Sequence, residues 1–182
     1  LVLSTYDLEN EMGTKLLIDS EGNDKTRSGF RFQYENGATV YGSCSLTHEG
    51  VHYVMGGHSN NSRSHTQISR VQGCTLRQSE YPLPFKFSYG ACNSYEQQSD
   101  TYILLCFPSN DGGQSSDQQQ CWRWNGVDER DDAFLKVTPS KHKHKYISLA
   151  SYEGVPMAVG GWHSNTNKVE SLRSNGWNEE AY

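Results

Sequence analysis

No stretch of this sequence approaches the roughly 20 consecutive apolar residues that a bilayer-spanning helix needs, so no membrane span is expected in it. Runs of alanine, leucine, glutamate and lysine, which favour helix, are also missing. None of the five cysteines forms a CxxC pair, which argues against a zinc ribbon or a thioredoxin-like redox site. No Gly-x-Ser-x-Gly elbow supports a serine hydrolase. A basic surplus is absent too: the formal net charge is −5 with both signs interleaved, so no nucleic-acid partner is expected. The chain starts at Leu1 without an initiator methionine or a signal-peptide pattern, and the expectation is an internal fragment or a processed product.

What is present suits short strands joined by polar turns: 17 glycines, 11 tyrosines and a hydrophobic fraction of only 34%. The 182 residues suffice for one good core or two small ones. Asn60-Asn61-Ser62 is an N-glycosylation triplet in a polar stretch, which makes Asn60 the candidate acceptor. Together with the cysteines it points to an oxidising, secreted or cell-surface setting. Reduced, buried cysteines are the alternative.

The informative signal is a repeat. Tyr53-Val54-Met55-Gly56-Gly57-His58-Ser59-Asn60 recurs as Met157-Ala158-Val159-Gly160-Gly161-Trp162-His163-Ser164-Asn165, and Gly57 and Gly161 stand 104 residues apart, twice 52. A period near 50 is that of a propeller blade. A degenerate copy halfway, Ile103-Leu104-Leu105-Cys106-Phe107-Pro108-Ser109-Asn110, has lost both glycines. Before each copy lies another strand candidate, at 39–46, 87–94 and 146–151, with turns at Glu49-Gly50, 98–100 and Glu153-Gly154. Third strands are expected at 67–71, 119–124 and 168–172, and fourth strands at 75–80, 133–137 and, truncated, 177–182. This divides the chain into blades at 38–86, 87–140 and 141–182. Residues 1–37 form a lead-in or the last strands of a preceding blade, from Leu16-Leu17-Ile18 and 30–34. Asp19, Glu21 and Asn23 hint at a calcium loop, but no distal glutamate continues the ligand series.

An apolar strand ending in Gly-Gly, a polar loop, a Val-Glu strand and then an aromatic residue resembles the kelch repeat. Val159-Gly160-Gly161, Asn165, Val169-Glu170 and Trp177-Asn178 carry the resemblance best. The first copy keeps Gly56-Gly57 but has Ile68-Ser69-Arg70-Val71 in place of the glutamate; the middle copy keeps Trp122, Trp124 and Asn125. The resemblance covers about residues 38–182 and implies an all-β, kelch-like β-propeller of four-stranded antiparallel blades. The glycines would allow close backbone approach, and Trp124 and Trp177 would fill the wedges between blades. An ordinary antiparallel sandwich with Gly-Gly turns is the competing fold. Propellers close with about 4 to 8 blades, so the rest of a parent chain, or another protomer, is expected to complete this one.

Counting along the repeat sets Cys106 opposite Cys121 across a hairpin, a bridge that would stabilise by roughly 3 kcal/mol in the chain-entropy model. Cys44 and Cys74, both in the first blade, are expected to pair; Cys92 is left over, to take Cys74 instead or to pair outside the chain. His142 and His144 alternate within Lys141-His142-Lys143-His144-Lys145 and would share a strand face, but the flanking lysines disfavour a cation, and a solvated strand or loop is preferred.

The function expected is a non-enzymatic extracellular interaction or structural module, with a protein or glycan ligand and no metal or cofactor. Two alternatives come from the resemblance: an intracellular adaptor presenting substrates to a ubiquitin ligase, and a copper-dependent oxidase or glycan-processing enzyme. No matching tyrosine, histidine and cysteine cluster can be placed for the second.

Overall fold

The structure, a computed structural model, describes residues 2–7, 12–17, 40–59, 63–72, 75–97, 99–109, 117–126, 133–161 and 167–180. Asp19, Glu21, Asn23, the 30–34 stretch, Asn60 and Cys74 lie outside these residues. Strands β1 (Val2–Asp7) and β2 (Met12–Leu17) pair as an antiparallel hairpin, and β3 (Val40–Tyr41), β6 (His58–Ser59) and β7 (Arg63–Ser64) form a small sheet.

Three four-stranded antiparallel sheets make up the rest. The first runs β4 (Cys44–His48), β5 (Val51–Met55), β8 (Ile68–Gln72), β9 (Thr75–Gln78). The second runs β10 (Ala91–Gln97), β11 (Asp100–Cys106), β12 (Cys121–Trp124), β13 (Leu135–Val137). The third runs β14 (Ser148–Tyr152), β15 (Val155–Val159), β16 (Val169–Arg173), β17 (Gly176–Glu179), so its fourth strand is present. In each, spatial order follows chain order. The first strand β10 lies against β4 on one side and against β14 on the other, so the sheets fan from neighbouring innermost strands in a propeller-like, all-β arrangement. No helix among the described residues is long and apolar enough to cross a membrane.

Backbone conformation reveals the repeat more evenly than residue type does. Two residues before each innermost strand the chain turns left-handed, at Gly42, Tyr89 and Tyr146 (φ 64°, 52° and 55°). It does so again at Gly56, Phe107 and Gly160 (φ 63°, 59° and 78°), just past the second strand. There the three N–H groups make the same bond, donating to Gln67, Gln120 and Lys168 carbonyls, each at 2.8 Å. The Glu49-Gly50 and Glu153-Gly154 hairpins have positive φ at both residues, as a two-residue turn of matching twist requires.

Gly56 cannot be replaced without moving backbone, because a Cβ there would stand 2.1 Å from the Phe87 carbonyl oxygen. The same oxygen accepts from Gly57 N–H at 2.7 Å, which ties the first sheet to the segment entering the second. At Phe107 the second sheet accepts a left-handed aromatic residue, a cost of order 1–3 kcal/mol. Its ring offsets that cost by full burial between the rings of His144 (4.8 Å) and Trp177 (5.6 Å). Gly160→Ala should cost at least the left-handed penalty, about 1–2 kcal/mol. The measurement is the shift in urea midpoint at unchanged slope.

The core follows the period-two rule of a strand, applied to one strand covered on both faces. Ile103 and Leu105 of β11 point into a cluster with Tyr53, Met55, Ile68, Leu83, Phe87, Trp124 and Phe134, between the first and second sheets. Leu104 and Cys106 point the other way, into a cluster with Tyr95, Phe107, Cys121, Ala158 and Trp177, between the second and third. Trp124 packs edge-on against Tyr53 at 5.4 Å and stacks on Phe134 at 5.2 Å. The two tryptophans thus occupy separate wedges.

Two disulfides are formed. Cys106 and Cys121 are direct partners across β11 and β12, and their Cα atoms are 4.1 Å apart. Cys44 pairs with Cys92, not with Cys74. The correction has a geometric cause: β4 and β10 are innermost strands of different sheets, and only the fanning of those sheets brings them side by side. A bridge confined to the first sheet misses that contact. Two bridges suit an oxidising environment.

Candidate functional site

Where the second and third sheets splay apart, at their hairpin ends, they leave a cleft of about 760 Å³. That volume is within the usual range for ligand sites, about 300–1,000 Å³. The strand register says which side chains enter it. Tyr95, Gln97, Arg123, Leu135 and Val137 share the face of the second sheet that carries Leu104, because Leu104 is opposite Arg123 and Arg123 opposite Leu135. From the third sheet come Pro156 and Leu172, on the face of Ala158 and Glu170. Glu96, Lys136 and Arg173 border the cleft, but strand alternation turns their side chains to the opposite faces. Arg173 there binds Glu180 at 3.0 Å and the Ser171 hydroxyl at 3.1 Å.

The cleft therefore has apolar walls and one cation. Arg123 donates through Nη1 to Gln97 Oε1 at 2.8 Å, and its guanidinium lies 5.1 Å from the Tyr102 ring centre. Among the described residues no carboxylate forms an ion pair with it. Burial pushes the Tyr95 phenol up, and the neighbouring guanidinium only partly offsets this, so the hydroxyl stays a neutral donor in the cleft. Leu135 stands at the rim 48% exposed, a large aliphatic side chain with little cover.

A second polar assembly sits at the other end of the same two sheets. Glu170, fully buried, accepts from Lys141 N–H at 2.9 Å, His142 N–H at 3.0 Å and His144 Nε2 at 2.8 Å. His144 Nδ1 donates to the Gly160 carbonyl at 2.7 Å. Burial pushes the Glu170 carboxyl up, but hydrogen bonds from His144 and the two backbone amides outweigh it and hold it below its ordinary value. The His144 ring thus bridges the Glu170 carboxylate and the Gly160 carbonyl.

These contacts correct the expectation of a solvated His142-His144 stretch. His144 is 0% exposed, and the segment is pinned to the third sheet by one carboxylate. Lys141 and Lys143 are exposed, and His142 is partly so, with Nε2 3.1 Å from Glu179. Among the described residues no three histidine, cysteine, aspartate or glutamate side chains gather as a metal site.

Gly56, Gly57, Gly160 and Gly161 lie at the end opposite the cleft, beside the links between sheets, and Trp124 and Trp177 lie in the wedges. None of these residues lines the cleft. Arg123, Gln97, Tyr95, Leu135 and Leu172 were not singled out by the sequence. A charged residue between two tryptophans in Cys121-Trp122-Arg123-Trp124 was the available signal, since strand alternation must send Arg123 to one covered face.

No family model matches the sequence, and no curated protein matches it. Among solved structures, the fold is similar to that described as the structure of YjhT, with a TM-score of 0.54 and 9% identity. The alignment covers 99% of this chain and 52% of that one, so the chain spans about half the length of that relative. At such low identity the likeness concerns the fold alone, and it accords with a propeller-like arrangement of three sheets.

Proposed function

We propose that this chain is a non-enzymatic extracellular interaction or structural module built on a kelch-like propeller, with a protein ligand held between blades. The observation that carries the reading is the cleft between the second and third sheets, where Leu135, Val137, Pro156 and Leu172 stand beside a guanidinium held by Gln97, a lining suited to binding. The Gly-Gly and Val-Glu repeat supports the kelch likeness, with Glu170 capping the segment that enters the third sheet. The two disulfides support an oxidising, secreted or cell-surface setting.

The same reading gives a role to the outer face of the third sheet. Tyr152, Val155, Met157 and Val159 share that face by register, with Tyr152 65% and Val159 46% exposed. A further blade, from the rest of a parent chain or another protomer, is the natural cover for it. The 182-residue chain alone should then self-associate through this face, and Val159→Asp should weaken that association by roughly tenfold or more, since a buried unpaired charge is costly. Sedimentation over a concentration series reads this out. A monomer at all concentrations, unchanged by the substitution, counts against an incomplete ring.

Peptide mapping without reduction, on material from the native source, tests the setting. The expected result is both disulfides intact and a sugar on Asn60. Free thiols would favour the intracellular adaptor, and stoichiometric copper on elemental analysis the oxidase.

A further inference from the structure

The cleft's chemistry narrows what it binds. Among the described residues, Arg123 is the one charged side chain that strand register aims into the cleft at the hairpin ends of the second and third sheets. Its position is fixed by Gln97 Oε1 at 2.8 Å, by the Tyr102 ring at 5.1 Å and by the adjacent Tyr95 hydroxyl. None of these neighbours carries a negative charge, so among the described residues the guanidinium is oriented without being neutralised. A side chain used only for packing would not need this arrangement. A surface arginine used for solubility would not need its fork held still. A fixed guanidinium with unspent N–H groups suits a carboxylate, which it meets bidentately.

Beyond these polar and aromatic neighbours the cleft is lined by aliphatic side chains. Leu135, Val137, Pro156 and Leu172 line the walls, and Leu135 remains half-exposed at the rim. A ligand fitting this space presents apolar groups to both walls and an acid to Arg123. The protein as a whole has a formal charge of −5, so a buried acid is welcomed here by this one group and repelled by the average surface. The one ring among the described lining residues, Tyr95, is buried, so the aliphatic walls suit a peptide better than a sugar, whose faces stack on exposed aromatic platforms.

We propose that the cleft between the second and third sheets binds an acidic peptide segment of a partner protein, with an aspartate or glutamate carboxylate on Arg123 and flanking aliphatic side chains against Leu135 and Leu172. This rests on the reading of the chain as a binding module and names the ligand class of that site.

The test titrates the full chain, by isothermal calorimetry, with a blocked pentapeptide alternating leucine and glutamate, and in parallel with its leucine–glutamine counterpart. The acidic peptide should bind at least roughly tenfold more tightly, the worth of one charge-assisted hydrogen bond. Arg123→Gln should remove that preference while leaving the thermal midpoint near that of the parent, because Arg123 holds no core position. Leu135→Asp, at an exposed site that folding tolerates, should weaken the acidic peptide by a similar factor.

Equal binding of the two peptides, no binding of either, or a preference that survives Arg123→Gln would each overturn the assignment. Mass spectrometry of the recovered peptide separates this from failure of the module reading. An intact, unbound peptide overturns only the cleft's ligand class, whereas a cleaved or modified one overturns the non-enzymatic reading itself.

Discussion

Glu170→Ala is expected to lower the unfolding free energy by about 3–5 kcal/mol, the usual result of removing one member of a buried charged pair. Three donors lose their acceptor at once: the His144 ring and the backbone amides of Lys141 and His142. None can turn to water, because the carboxylate site is fully buried. Glu170→Gln keeps the shape but turns an amide NH₂ toward an N–H donor, so it should recover only part of the loss. Urea unfolding of the three proteins measures both effects.

The same residue predicts an acid limb. Glu170 holds its proton less readily when folded than when unfolded, because the hydrogen bonds from His144 and the backbone outweigh burial. Its contribution is therefore complete above the ordinary value of 4.5 and lost as pH falls through the lower folded value. Two other glutamates of the third sheet act with the same sign. Glu179 is pushed down to about 2 by the Lys168 ammonium and the His142 ring. Glu180 is lowered by the Ser171 hydroxyl and the Arg173 guanidinium. Amide exchange in β16 and β17 should accelerate below about pH 4.5, ahead of exchange in β5 and β8. Glu170→Ala should flatten that dependence. Uniform acid unfolding of all three sheets would contradict it.

Removing the Cys44–Cys92 bridge, as the double alanine variant, should cost about 4 kcal/mol in the chain-entropy model, against about 3 for Cys106–Cys121. The difference comes from span: 48 residues are closed by the first bridge and 15 by the second. The longer bridge also clamps the innermost strands of two sheets, where no backbone ladder joins them. For a chain of this size a loss of 4 kcal/mol corresponds to a fall of roughly 8–16 °C in the thermal midpoint. Calorimetry of the two double variants side by side gives the comparison. An equal or smaller effect for Cys44–Cys92 would show that the unfolded chain is not limited by loop closure.

How much of this was legible beforehand depends on whether a feature is local to one sheet. The strand order within each sheet follows from alternating apolar residues and turns such as Glu153-Gly154, whose chemistry is written in adjacent residues. A bridge within one sheet, Cys106 with Cys121, obeys strand spacing. Cys44 with Cys92 obeys only the fanning of two sheets, which no spacing along one repeat encodes. His144 misleads for a related reason. Its lysine neighbours read as solvent-facing, yet Glu170, 26 residues later, draws the ring and two amides inward. Phe107 shows the converse: a glycine conformation kept without the glycine, because burial of the ring outweighs the backbone cost. Arg123 was marked only by its place between Trp122 and Trp124; the cleft it enters is a gap between two sheets, which no spacing along one repeat encodes.

Strand β11 shares its side chains between two interiors, alternating from one to the other. A single inserted residue there would hand Ile103 and Leu105 to the neighbour that now receives Leu104 and Cys106, and would carry Cys106 away from its partner. Lengthening an exposed hairpin shifts nothing beyond itself. This stretch is thus where the lineage of such proteins should tolerate changes of residue yet refuse changes of length.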